Sequence, residues 1–340
     1  MQENQNAKYK VTVLIPTKNG GILFKRVIEA LLLQETSWDF EILIIDSGSK
    51  DGTLEFCQTL ESKIRFHTIS PEEFGHGKTR NLGISMCESA FIALLTQDAL
   101  PADSRWLQNI VATVEQAPDI AGAFGRHFAY PGGNPFVERD LKEHFNMLFN
   151  YPHILKLDTE ESYNTYLSCP QIWHFFSDNN ACIRRSVWEK IPYPDVEFAE
   201  DQIWAKKILE AGYAKAYADD AAVFHSHNYS VLELGRRSFD EAKALFSLFG
   251  YRLCPSILHL LFYFSRSSMK DISFSVNSKL IFNQPIWVLK SPLLNLSRQI
   301  GYYLAGQAHH LPDFVTDLIS LNQSIKKGNL KSKMLKQKYN

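Results

Sequence analysis

Cysteine is sparse and unpatterned in this chain: Cys57, Cys87, Cys169, Cys182 and Cys254 are scattered over 340 residues with no Cys-x-x-Cys pair. An odd, dispersed set of this kind reads as reduced thiols in the cytoplasm. Long hydrophobic runs are missing too. The first ten residues, Met1 to Lys10, are polar and lack the apolar core of a signal peptide, and no run approaches the length of a transmembrane helix. Nor is there an excess of one charge. Thirty-six Lys and Arg stand against 37 Asp and Glu, a formal net charge of -1, which argues against a general nucleic-acid binder. Internal repeats are absent, and only the end of the chain approaches low complexity. There Lys326, Lys327, Lys331, Lys333, Lys336 and Lys338 follow one another without an acidic residue. Such a run reads either as a solvated tail or as a contact for anionic lipid headgroups, each lysine near such a surface contributing about 1 kcal/mol.

What is present is a hydrophobic fraction of 45%, enough for a substantial core in one large domain or two. Three apolar runs in the first hundred residues each stop on a polar or turn-forming cluster. Val11 to Ile15 ends at Pro16-Thr17-Lys18-Asn19, Ile42 to Ile45 at Asp46-Ser47-Gly48, and Phe91 to Leu95 at Thr96-Gln97-Asp98-Ala99. Short apolar runs bounded by turn chemistry read as strands buried on both faces, the look of parallel strands in an α/β sheet. In open sheets of that kind ligands bind beyond the carboxyl ends of the strands, so the clusters are the place to look for chemistry.

Helical spacing of apolar residues from Ile22 to Leu33 makes the opening a βαβ unit. A helix follows Asp51-Gly52-Thr53, then a strand at Ile64 to Ile69, a helix from Lys78 to Glu88, another from Trp106 to Glu115, and a strand from Ile120 to Phe128. Residues Asn134 to Gln171 show no clear period and read as a long loop or lid. Beyond them come a strand at Asn179 to Ile183, a short helix at Val187 to Ile191, a helix from Glu200 to Ala211 ended by Gly212, and a strand at Ala221 to Phe224. That strand runs into His225-Ser226-His227-Asn228-Tyr229. After about Leu232 the pattern is helical and amphipathic.

Asp46, at a strand end and followed by small residues, could accept the imide N–H of a uracil or thymine ring; helix capping is the plainer role, though it suits Asp51 better. Asp98 could help hold a hard divalent cation on a diphosphate, or could be a turn residue before Pro101. Glu200-Asp201 opens a helix, where the macrodipole favours carboxylates, yet an exposed carboxylate at a crevice can also act as general base toward an acceptor hydroxyl. His225 ends a later strand and is either a structural imidazole or a ligand at the same sheet edge. In Phe74-Gly75-His76-Gly77-Lys78-Thr79-Arg80-Asn81, backbone N–H groups and Arg80 could face an anion, or Arg80 could pair with a surface acid; the glycine spacing is not that of a P-loop.

Taken together and in order, Ile-Pro-Thr-Lys-Asn, Asp-Ser-Gly-Ser-Lys-Asp-Gly-Thr, Thr-Gln-Asp-Ala, Glu200-Asp201 and the late His225 resemble the inverting glycosyltransferases of family 2, over roughly Val11 to Tyr229. The resemblance implies an α/β GT-A fold, Rossmann-like, with a mostly parallel sheet flanked by helices and a C-terminal helical extension. It implies a catalytic domain over 1–231, with a nucleotide-sugar half over 1–130 and an acceptor half over 131–231, and a helical region with a basic tail over 232–340. Phe-Gly-His-Gly-Lys-Thr-Arg-Asn, Thr-Gln-Asp-Ala-x-Pro, Ser-Asp-Asn-Asn-Ala and His-Ser-His-Asn-Tyr are similar to the rhamnosyltransferases of cell-surface polysaccharide synthesis.

On that resemblance Pro16, Thr17, Asn19, Asp46, Ser47, Gly48, His76, Arg80, Gln97 and Asp98 would line the nucleotide sugar, with Arg80 near the diphosphate. Asp98 and His225 would bind Mg2+ or Mn2+. Asp201 would be the catalytic base with Glu200 beside it, and Trp173, Asp178, Asn179 and Trp204 would face the acceptor. The family's Asp-x-Asp is here Gln97-Asp98-Ala99, one carboxylate where two are usual. The expected reaction moves L-rhamnose from dTDP-β-L-rhamnose to a lipid-linked or polysaccharide hydroxyl, at the inner face of the cytoplasmic membrane, without nucleic acid. A UDP-hexose or UDP-N-acetylhexosamine donor, or a nucleotide-sugar-binding subunit without turnover, are the alternatives. A nucleotidyltransferase would want a glycine-rich basic signature after the first strand, which Pro16-Thr17-Lys18-Asn19 is not.

Overall fold

Alternation of side chains along the strands decides the layering. The computed structural model describes residues 8–60, 64–196 and 198–326. Its first strand, β1 (Val11–Thr17), sends Val11, Val13 and Ile15 into one apolar cluster and Leu14 into another, because successive residues of a pleated strand point to opposite faces. Helix α1 (Gly21–Leu32) covers the first face with Phe24, Val27, Ile28 and Leu31, a single helical stripe. Strand β2 (Phe40–Asp46) divides in the same way, Ile42 and Ile44 to one side, Leu43 and Ile45 to the other. Next come α2 (Thr53–Gln58), β3 (Ile64–Thr68), α3 (His76–Ser85), β4 (Phe91–Leu95), β5 (Leu100–Pro101), α4 (Trp106–Glu115) and β6 (Ile120–Phe128).

Residues 134–171, expected to be irregular, contain α5 (Pro135–Phe149), β7 (Ile154–Lys156), α6 (Glu160–Ser168) and the start of α7 (Pro170–His174). The difference has a physical reason. Helix α6 buries none of its residues and rests on a capping box in which Thr159 and Ser162 satisfy one another's backbone N–H groups, so no apolar period marks it. Thereafter β8 (Asn180–Arg184), α8 (Arg185–Trp188), α9 (Glu200–Glu210) and β9 (Ala214–Phe224) complete the sheet.

The strand order is β3-β2-β1-β4-β8-β6-β9-β5, with β7 on β9. Strands β3, β2, β1 and β4 run parallel, as do β6 and β9, while β8 lies antiparallel between β4 and β6. Register sets the site. Thr17 pairs with Asp46 and Leu95 with Asn180, so the residues leaving β1, β2 and β4 and those entering β8 share one edge of the sheet.

Contacts divide the chain into two units. The first is Met1–Tyr130 with Asp140–Ser226 and holds the sheet; the second is Pro131–Arg139 with His227–Asn340. The second unit is helical: α10 (Val231–Phe249), α11 (Ile257–Asn277), α12 (Leu280–Asn283), α13 (Pro285–Gly306), a 3-10 turn at Ala308–His310, α14 (Asp313–Ile319) and α15 (Leu321–Lys326). Helices α10 and α13 approach closely enough that a Cβ on Gly301 would lie 2.3 Å from the Gly235 carbonyl oxygen. Buried Asp271 of α11 accepts hydrogen bonds from Ser291 Oγ (2.8 Å) and Asn295 Nδ2 (2.7 Å) of α13 and pairs with Arg139 (2.8 Å). Past Lys326 the lysine run lies outside the described residues.

Candidate active site

Two loops at the ends of β1 and β2 are sewn to each other. Asn19, held at φ 51°, donates its N–H to Ser49 Oγ (2.8 Å) and accepts from Lys50 N at its own side-chain oxygen (2.8 Å). Gly20 N–H reaches Thr53 Oγ1 (2.9 Å), and Gly21 N–H reaches Asp51 Oδ2 (3.0 Å). Asp46 is buried and accepts the N–H groups of Gly48 (2.9 Å) and Ser49 (3.0 Å), while Gly48 takes φ 84°, a conformation that favours glycine. Ser47 Oγ donates to the Thr17 carbonyl. Gln97 accepts from Thr17 Oγ1 (2.7 Å) and Lys18 N (2.8 Å), tying the end of β1 to the end of β4. Pro16 is half-buried beside them, and His76 is exposed at the start of α3 against Phe74.

Asp98 and His225 do meet. Because Leu100 pairs with Phe224, the residue after β9 comes back beside the residue leaving β4, and His225 Nε2 lies 3.6 Å from Asp98 Oδ1. Two donors on one small cation at about 2.1 Å each stand roughly 3–3.5 Å apart, so this pair fits a shared ion with little movement. Tyr130 OH donates to the Asp98 carbonyl oxygen (3.1 Å), fixing that loop.

A second cluster forms where α3, α9 and the entry to β8 converge. Arg80 is 3% exposed, with Nη1 2.5 Å from Glu200 Oε1 and Nε 3.3 Å from Asp178 Oδ2. Tyr193 OH donates to Asp178 Oδ1 (2.8 Å), and the Asp178 N–H points to Asp201 Oδ2 (3.3 Å). Ala199 at φ 58° turns the chain into α9 so that Glu200 is buried while Asp201 still reaches solvent. Three carboxylates around one guanidinium cannot all ionise cheaply. Burial, reinforced by the negative charge of Glu200, pushes Asp178 up to about 7. Burial, with Glu200 and Asp178 beside it, also lifts Asp201 well above the usual carboxylate range. Burial disfavours the Arg80 charge, yet Asp178 and Glu200 overcome this and raise its proton affinity.

Several of the expected site residues lie inside the protein. Arg80, expected near a diphosphate, is enclosed and spends its charge on Asp178 and Glu200. Trp204 is fully buried between Phe176 and Tyr193, its Nε1–H donated to the Ile191 carbonyl oxygen, and Trp173 is buried against Leu157, Leu209 and Tyr166. Neither ring has a face for an acceptor sugar. Asp178 is enclosed as well and acts on its neighbours; Asn179 stays partly exposed. Sequence reading passed over Tyr193 and Asn81. Asn81 accepts from Trp188 Nε1 (2.7 Å) and Tyr193 N (3.1 Å) and donates to the Tyr193 carbonyl oxygen (2.9 Å), so it anchors the residue that holds Asp178. Its place directly after Arg80 in the quoted motif was the available signal.

Loops tied to one another, a carboxylate–imidazole pair and a solvent-reaching carboxylate of raised basicity thus stand on one α/β sheet. The profile of "Glycosyl transferase family 2" matches residues 12–192, and the chain belongs to that family. It is 32% identical over 309 residues to the O-antigen chain rhamnosyltransferase RfbN of Salmonella typhimurium (strain LT2), covering 89% of this chain and 91% of that protein. To the O-antigen chain rhamnosyltransferase WbaN of Salmonella anatum it is 29% identical over 307 residues, 88% and 90% of the two chains. In fold it is similar to the mannosyltransferase PcManGT from Pyrobaculum calidifontis, solved with GDP-Man and Mn2+ (TM-score 0.54, 15% identity, 86% of each chain). Residues 1–349 of S. aureus TarS superpose at a TM-score of 0.50 with 14% identity, over 88% of this chain and 91% of that one. The fold is GT-A, and the protein is a glycosyltransferase.

Proposed function

We propose that this enzyme moves L-rhamnose from dTDP-β-L-rhamnose to a hydroxyl of a lipid-linked or polysaccharide acceptor, with inversion at the anomeric carbon. The observation that carries the donor assignment is the 32% identity, spanning nine-tenths of both chains, to a protein named as an O-antigen chain rhamnosyltransferase. Residues 1–130 take the donor, with Pro16, Thr17, Asn19, Asp46, Ser47 and Gly48 framing the nucleoside and Gln97 holding their loops together. Residues 131–231 supply the acceptor side. Asp201 removes the proton from the acceptor hydroxyl, the oxygen bonds to the anomeric carbon, and the carbon–oxygen bond to dTDP breaks. Its raised proton affinity suits it to that task. Glu200, Arg80, Asp178 and Tyr193 fix its position and charge and do not touch substrate. A Mn2+ or Mg2+ ion held by Asp98 and His225 would offset negative charge on the departing diphosphate. The reaction belongs in the cytoplasm at the inner face of the membrane, where lipid-linked acceptors are built.

The test is release of nucleoside diphosphate from a panel of sugar nucleotides, with and without Mn2+ and a lipid-diphosphate-sugar acceptor. Acceptor-dependent turnover of dTDP-rhamnose and an α-linked product are expected, with Asp201→Asn losing at least ~10²-fold in kcat while donor affinity holds. Turnover of a UDP-sugar alone overturns the rhamnosyl assignment. Tight donor binding with no turnover of any donor overturns the catalytic one.

A further inference from the structure

Helix α11 has two faces that conflict with life in water. Leu260, Asp271 and Ser275 are buried on one side. At 100° per residue, Leu258, Phe262, Met269 and Val276 fall within about 40° of one another on roughly the opposite side. Beyond α11, Phe282 of α12 and Leu289 of α13 are exposed as well, and these six side chains are between 57% and 83% exposed. Scattered exposed apolar residues are ordinary; a stripe along one face of a helix, with more large exposed apolar side chains in the two helices that follow, marks an interaction surface.

Charge tells what covers it. From Ile257 to Gly306 the chain carries Arg266, Lys270, Lys279, Lys290 and Arg298 against a single acid, Asp271. That acid is buried and already neutralised by Arg139. All the charge the hairpin shows to its surroundings is therefore positive, and Arg266, Lys270, Lys279 and Lys290 are exposed. Long cationic side chains beside an apolar stripe suit a bilayer surface, with the stems following the acyl boundary and the heads reaching anionic groups. A second copy packed face to face would set these cations against their own kind. No helix among the described residues is long and apolar enough to cross a membrane, so the fit is to the interface plane.

We propose that the α11–α12–α13 hairpin is a membrane-docking surface that inserts its apolar stripe into an anionic lipid bilayer. This goes beyond the transfer reaction and does not depend on which sugar is moved. The full chain is sedimented with phosphatidylcholine vesicles with and without phosphatidylglycerol, at low and high salt. Binding to phosphatidylglycerol vesicles that partly survives high salt is expected, since salt screens the lysines and leaves apolar insertion intact. Phe282→Ser with Leu289→Ser should lower partitioning roughly tenfold or more, and Lys279→Gln with Lys290→Gln should cut the preference for anionic lipid by about tenfold. Both pairs are exposed, and unchanged circular-dichroism melting checks that they fold. As a second readout, Phe282→Trp should give emission that shifts to the blue on phosphatidylglycerol vesicles and is quenched by brominated lipid. Unchanged partitioning of the serine pair with no quenching at position 282 overturns the proposal. So does a dimer, seen by light scattering, that the serine pair splits while vesicle binding is absent. Turnover with a water-soluble acceptor fragment should be unchanged in these variants, which separates this outcome from failure of the transferase assignment.

Discussion

At Asp178 the cost of crowding carboxylates becomes measurable. Its side chain accepts from Tyr193 and faces Arg80, yet burial and Glu200 outweigh these and raise its proton affinity to about 7. A carboxyl of an unfolded chain titrates near 3.9. A group whose folded value is the higher one contributes stability that is fully present below the unfolded value and is lost as pH rises through the folded one. Wild-type melting temperature relative to Asp178→Asn should therefore fall between pH 5 and pH 8, because asparagine keeps the shape and cannot ionise. The same variant removes one of the negative neighbours that lift Asp201, so the acidic midpoint of kcat/KM should move down. Equal melting differences at both pH values would show that the carboxyl is already ionised at pH 5. The participants were only half legible in the sequence. Glu200-Asp201 announces itself as an acidic helix start, but Arg80 pairs with Glu200 across 120 residues of chain, and only the fold reports that its charge is spent inside.

Among the elements, α3 shows why its motif contains glycine. A Cβ on Gly77 would stand 2.3 Å from the Pro194 carbonyl oxygen and 3.5 Å from Glu200 Cβ. That first neighbour is backbone and cannot turn away. The residue lets α3 lie against the 192–194 segment, and so delivers Arg80 to Glu200 and Asn81 to Tyr193. Gly77→Ala should push the elements apart, lowering stability by about 1–3 kcal/mol, the usual range for overpacking, and reducing kcat more than donor affinity; unchanged melting and kcat would mean that the segment gives way freely. The apolar strands were readable because both faces of the sheet are covered. The first half of β9 was not. Lys215 sits within it, buried, its ammonium donated to the carbonyl oxygens of Ile172 (2.9 Å) and Phe175 (2.5 Å), with burial driving its proton affinity well down. No pattern of apolar residues foretells a lysine in a core strand, just as none marks the solvated α6.

For the molecule as a whole, the order of elements along the chain differs from their grouping. Pro131–Arg139 falls within the first 231 residues yet belongs with the helical unit. What holds it there is specific: Arg139 reaches Asp271 at 2.8 Å, and Phe136 and the Arg139 guanidinium both pack on Phe274. Asp271 in turn is the buried acceptor that locks α11 to α13 through Ser291 and Asn295. Removing one partner of a buried pair costs about 3–5 kcal/mol, because the other charge is left without compensation. Asp271→Ala in the full chain should accordingly lower the melting temperature of the helical unit by roughly 6–20 °C at 2–4 °C per kcal/mol. A chain ended at residue 231 removes Asp271 and Phe274 together and strands Arg139 and Phe136 in water, so it should aggregate or melt below the full chain. Equal melting of the full and shortened chains, followed by calorimetry, would show that Pro131–Arg139 needs none of these contacts.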